Sequence, residues 1–200
     1  HPVPELAVIG RRQKRLDGFE KVSGRSVFTD DVRLPGMLYG KIIRSPHARA
    51  RIVSIDTSKA EALPGVKVVV TGKDAPSLMF SAHQPVFAQD IVNYVGEEVA
   101  AVAAADLVTA EDAARLIEVH YEPLEPVLNI RAALKKGAPQ IHARAPGNIG
   151  PVHARDFGDP DKVFAECDHI FEDQFRSPVQ HNTLAEFHVA LADFSNPDKL

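Results

Sequence analysis

A single cysteine, Cys167, in 200 residues rules out an intrachain disulfide and points away from the disulfide-stapled secreted scaffolds. No apolar run approaches the roughly 18 residues that read as a membrane-spanning helix. The opening HPVPELAVIGRRQKR has no initiator Met and lacks the charged-then-apolar order of a secretory signal. There is no N-x-[ST] acceptor site for a glycan. Strong charge of one sign is missing too: the formal net charge is −4, where a dedicated nucleic-acid binder is more often basic. These absences lead to the expectation of a soluble, cytoplasmic protein with no nucleic acid and no membrane among its partners.

Catalytic signatures are equally scarce. There is no G-x-x-x-x-G-K-[ST], no G-x-G-x-x-G and no G-x-S-x-G; TGKDAP carries the Gly-Lys pair without the earlier glycine or the hydroxyl residue. The nine histidines are scattered, with no H-E-x-x-H and no Cys/His zinc spacing. His181 and His188 flank Glu186, and in a strand Glu186 and His188 would share a face, an arrangement read as structural. No residue is assigned as catalytic, cofactor-binding or metal-ligating on spacing alone.

What is present is an ordinary globular core composition, 44% apolar and 25% charged, with alternating and continuous apolar segments. LYGKIIRS (Leu38–Ser45) follows the turn signal Leu34-Pro35-Gly36 and reads as a strand, as does RIVSID (Arg51–Asp56). Asp56 or Thr57 can cap a short helix that Pro64-Gly65 stops, and VKVVVTG is a buried strand. Residues 73–90 have no period and form a long loop, often a functional feature inside a compact domain. A strand at Val99–Ala103 precedes a helix over TAEDAARLIEV with Thr109 as its cap. IEVHYEPL is a further strand, and IRAALKKG a weak helix ending near Gly137.

The Pro/Gly-rich stretch 138–150 divides this unit from the rest of the chain. Beyond it, a helix begins at Pro160, and HIFEDQFRS and EFHVALADF alternate like strands. Those elements are too few to close a core, so this second part reads as incomplete. The divisions expected are an extended lead-in over 1–19, a domain over 20–137, a linker over 138–150 and the start of another domain over 151–200. One cluster stands out from this pattern: Arg44, His47, Arg49 and Arg51 crowd around Ser45-Pro46, as either a phosphate-binding patch or a turn.

Three long segments carry a family resemblance. They are RLDGFEKVSGRSVFTDDVRLPGMLYGKIIRSPHARARIVSIDTSKAEALPGVKVVVTGKDAP (Arg15–Pro76), YVGEEVAAVAAADLVTAEDAARLIEVHYEPLEPVL (Tyr94–Leu128) and PGNIGPVHARDFGDPDKVFAECDHIFEDQFRSPVQHNTLAEFHVALADF (Pro146–Phe194). In that order they resemble the opening region of the molybdenum-cofactor subunit of the xanthine dehydrogenase/aldehyde oxidase family. The resemblance implies an α+β fold, an α/β-hammerhead domain followed by the incomplete start of a molybdopterin-binding domain. It implies an oxidoreductase acting on an aromatic, heterocyclic, aldehyde or aryl-CoA substrate, with this chain supplying scaffold, subunit contacts and a loop of the substrate channel.

Within that loop, Met79, Phe80 and Ser81 are the implied channel residues. The implied cofactor of the complete enzyme is molybdenum-molybdopterin, with Fe–S clusters and FAD on partner segments or chains, and none bound by this segment alone. The implied partners are the rest of the molybdenum subunit, Fe–S and FAD subunits, and a small-molecule substrate. RSPHARARI is then a turn between hammerhead strands whose basic side chains meet solvent or partner chains. The alternative is a non-catalytic hammerhead-type module that binds a partner.

Overall fold

A computed structural model describes residues 8–75, 79–80, 84–155 and 157–195. These fall into two units: Gly36–Glu172, and the described parts of 1–35 and 173–200. The larger unit is α+β. Its six strands are β1 (Tyr39–Arg44), β2 (Ala50–Asp56), β3 (Val66–Thr71), β4 (Ile91–Val92), β5 (Glu98–Ala104) and β6 (Glu118–Pro123). They form two three-stranded antiparallel sheets, ordered β1-β5-β3 and β4-β2-β6.

Consecutive strands therefore part company. β1 and β2, separated by only five residues, enter different sheets, and so do β2 and β3. The strand–helix–strand run over 51–71 that looks like one local α/β unit actually links the two sheets. Ile55 and Val119 pack against both apolar clusters, which joins the sheets through shared side chains.

Side-chain size explains the packing. β5 is central to its sheet and buries Val99, Ala100, Val102 and Ala104. Its alanines let α3 (Leu107–Leu116) approach closely, and α3 answers with buried Ala110 and Ala113, three apart on one face. Ala60 of α2 (Ser58–Glu61) completes that contact. The largest fully buried side chains are Val92, Val99 and Val102, each worth about 1.5–3 kcal/mol of burial.

Local chemistry sets the element ends. α3 begins three residues earlier than the Thr109 cap predicts. Asp106 is the true cap: its carboxylate accepts from the Thr109 backbone N–H at 2.9 Å and from the Thr109 hydroxyl at 2.7 Å. Asp outranks Thr at this position, so Thr109 becomes the capped residue. These bonds hold the Asp106 carboxyl below the usual carboxylate range. Asn129 caps α4 (Ile130–Ala133) through Ala132 N–H at 2.8 Å, and Asp159 caps α5 (Pro160–Glu166), whose first residue is the expected proline.

The other unit holds α1 (Gly18–Val22) and a 3₁₀ turn at Thr29–Asp31. The expected strands HIFEDQFRS and EFHVALADF are not formed among the described residues. Both stretches carry no assigned secondary structure, and Phe171, Phe175 and Phe187 are exposed. Alternating apolar residues make a face; a strand also requires a partner ladder.

Candidate functional site

The basic stretch resolves into intramolecular bonds. Arg44, the last residue of β1, pairs across the sheet with Glu98, the first of β5. Its guanidinium meets the Glu98 carboxylate at 2.5 Å and donates to the Gly96 carbonyl at 2.8 Å. Arg49 donates to the carbonyls of Glu125 (3.1 Å) and Gln140 (3.4 Å), and Arg51 pairs with Glu122 on the neighbouring strand at 3.3 Å. Arg44 and Arg51 do face solvent, their side chains 51% and 53% exposed, while each also pairs within the chain; Arg49 is half-buried. Their acceptors lie more than 50 residues away in sequence, where local patterning cannot reveal them.

The turn reading of RSPHARARI holds. Buried Ser45 accepts the His47 backbone N–H on its hydroxyl at 3.0 Å, and the His47 ring meets Tyr121 edge-on at 4.9 Å. Ser45 also exchanges backbone bonds with the opposing turn: its N–H donates to Glu97 O, and Gly96 N–H donates to Ser45 O, both at 2.8 Å. Glu97 is 4% exposed. Burial pushes its carboxyl up, partly opposed by hydrogen bonds from the backbone N–H groups of Asn93 and Tyr94.

Residues 71–75, TGKDA, likewise form a self-contained turn. The Asp74 carboxylate accepts from the Thr71 backbone at 2.7 Å and from the Thr71 hydroxyl at 3.0 Å. Those donors are consequently directed at Asp74 rather than at a ligand. The adjacent Gly72 lies under the returning chain: a Cβ there would stand 2.6 Å from the Ala88 carbonyl oxygen. Ala88 itself donates to Glu98 O at 2.8 Å, which ties the end of the long loop to the start of β5.

Inside that loop, Met79 and Pro85 form an isolated antiparallel bridge, and Phe80 N–H donates to Gln84 O at 2.8 Å. Phe80 is 78% exposed, so capping of the core is not what its ring does. Met79 is also exposed; Ser81 lies outside the described residues. A cavity of about 230 Å³ sits beside this loop, walled by Phe80, Pro85, Val86, Phe87 and Ile42, with Gln84 and Glu98 as its polar groups. An apolar wall with two polar groups suits a small, flat, weakly polar molecule or part of one. Phe80 was legible in the sequence, whereas Ile42 and Glu98, brought in by the sheet, were not.

A second, shallower groove of about 430 Å³ runs past Leu128, Ile130, Ile141 and Asn148. Among the described residues, no three His, Cys, Asp or Glu side chains gather as a metal site. His181, Glu186 and His188 are all exposed on chain without strand pairing, so they do not share a strand face. The buried polar atoms without a hydrogen-bond partner among the described residues, Arg49 Nε and Asn93 Oδ1, line neither cavity.

Two small antiparallel sheets with short helices, and a loop beside an apolar cavity, make an α+β domain. Residues 23–125 match the family described as aldehyde oxidase and xanthine dehydrogenase, a/b hammerhead domain. The chain belongs to this family. It is 42% identical over 178 residues to a probable xanthine dehydrogenase subunit of Bacillus subtilis (strain 168), covering 86% of this chain and 23% of that protein. To the carbon monoxide dehydrogenase large chain of Afipia carboxidovorans it is 36% identical over 191 residues, covering 86% and 24%.

Solved structures agree. The Cu,Mo-CO dehydrogenase in its carbon monoxide reduced state superimposes with a TM-score of 0.61 at 42% identity, covering 65% of this chain and 17% of that one. Quinoline 2-oxidoreductase from Pseudomonas putida 86 gives 0.55 at 42% identity, covering 60% and 17%. The chain thus spans about a quarter of the length of the two curated relatives.

Proposed function

We propose that this chain is the hammerhead portion of the large subunit of a molybdenum-dependent oxidoreductase, and that its 79–85 loop forms part of the substrate channel. The observation that carries the reading is an exposed Phe80 beside an apolar cavity, in a chain whose family relatives include dehydrogenase large subunits. Residues 20–137 would form the hammerhead and 151–200 the opening of the cofactor-binding domain, with 138–150 between them.

In the complete enzyme a molybdenum-molybdopterin group would supply the redox chemistry, with Fe–S and FAD groups on partner segments or chains as electron carriers. The contribution of this chain's own residues is physical. The ring of Phe80 and the side chains of Ile42, Val86 and Phe87 exclude water and favour flat aromatic or heterocyclic substrates by burial and stacking. The cytoplasm is the proposed compartment; among the described residues, no helix is long and apolar enough to cross a membrane.

Purification of the native polypeptide with its accompanying chains tests the assignment. Molybdenum near one atom per copy, with dye reduction by an aldehyde or N-heterocycle, is the expected result. A full-length native polypeptide without molybdenum or redox activity, in cells that load other molybdenum enzymes, overturns it.

A further inference from the structure

Among the described residues the channel loop has no helix or strand of its own, yet Phe80 can shape a channel only if its backbone is held in place. A continuous run of hydrogen bonds leads from the sheet to that backbone. Arg44 and Glu98, paired at the ends of β1 and β5, are joined at 2.5 Å. The Tyr94 hydroxyl donates to the other Glu98 oxygen at 3.3 Å and accepts from the Gln84 side-chain amide at 2.5 Å. The Gln84 carbonyl then accepts the Phe80 N–H at 2.8 Å.

We infer that Tyr94 is a positioning residue: through Gln84 it fixes the neck of the 79–85 loop, and so the place of the Phe80 ring, on the β1–β5 sheet. The chemistry suits the task. A phenol hydroxyl can donate to a carboxylate and accept from an amide at the same time, which neither Phe nor a carboxylate at that position could do. Burial and the neighbouring Glu98 and Glu97 carboxylates push the Tyr94 phenol up, so the donating proton stays in place across the physiological range. The base of the relay is rigid, because Gly96 and Glu97 are bonded to Ser45 and Arg44 also holds the Gly96 carbonyl. Gln84 is the hinge of the arrangement, since its side chain takes the tether and its backbone holds Phe80.

This inference rests on the channel reading for its consequence in catalysis, while its structural part can be measured without activity. Tyr94→Phe removes one oxygen and keeps the ring, and Gln84→Met removes the amide while keeping length. Hydrogen–deuterium exchange at the Phe80 amide, resolved by mass spectrometry on the complete enzyme, should quicken roughly two- to tenfold in either variant, as expected for loss of one net hydrogen bond. The double variant should exchange no faster than the singles, because both remove the same tether. With quinoline as probe substrate, KM should rise by a similar factor while kcat and molybdenum content hold.

Unchanged Phe80 exchange in Tyr94→Phe, or effects that add in the double variant, would overturn the tether. If exchange quickens but neither these variants nor Phe80→Ala alters KM for quinoline, it is the channel reading that fails, and Tyr94 is left with no role in catalysis.

Discussion

Gly72 offers a test of how tightly the loop is seated on the sheet. It is buried, and its φ is not in the left-handed region, so alanine could adopt the same backbone. What alanine cannot do is fit: its Cβ would lie 2.6 Å from Ala88 O and 3.2 Å from both Ala88 C and Gln89 Cα. All three are backbone atoms, so the 88–89 segment must move. Forcing a methyl into such a contact costs about 1–3 kcal/mol. Restricting the unfolded chain returns about 0.4–1 kcal/mol. The net expectation for Gly72→Ala is a loss of about 0.5–2 kcal/mol, or ~1–8 °C in Tm at this chain size.

Gly40, the second residue of β1, is the internal control. It also has ordinary φ, but an added Cβ would meet nothing within 4 Å. Gly40→Ala should be neutral or slightly stabilising through the same unfolded-state term. Urea denaturation of the two variants and the parent gives the comparison, with the slope m checked for constancy. Equal midpoints for Gly72→Ala and Gly40→Ala would refute the close approach, and with it the seating of the loop end against β3.

Two further outcomes are expected. Burial raises the Glu97 carboxyl in the folded state, so the fold binds this proton more tightly than the unfolded chain does. Stability should then fall as pH rises from the ordinary carboxyl range through the raised value, and Glu97→Gln should flatten that slope; an identical pH–stability curve in the variant counts against it. Residues 168–194, exposed and without strand pairing among the described residues, should exchange backbone hydrogens faster than 98–122. Equal or slower exchange there would mean that those segments are paired after all.

Much of the fold was legible because it depends on local pattern. The Leu34-Pro35-Gly36 turn, the alternation in RIVSID, the run VKVVV and the apolar Val99–Ala103 each mark a strand that the structure contains. β4 was missed because two residues cannot show a period; it exists through its pairing with Ala50 and Arg51. The assignment of successive strands to different sheets was hidden too, since short connections usually imply neighbours.

The error at 168–194 runs the other way: the alternation was real, but the partner ladder is not among the described residues. At the candidate site, Phe80 was visible through family resemblance alone. The relay of Arg44, Glu98, Tyr94 and Gln84 was not, because it joins residues from four places in the chain by hydrogen bonds that leave no period and no motif.

The central claim is that this chain shapes the substrate channel of a molybdenum enzyme, and Phe80→Ala in the complete enzyme tests it most directly. Removing an exposed ring from the cavity wall should leave folding and molybdenum content intact. The account predicts that KM for a flat aromatic substrate such as quinoline rises several-fold, with a smaller change for a short aliphatic aldehyde. Unchanged KM for both substrates, in a variant that folds normally and carries its full molybdenum, would contradict it.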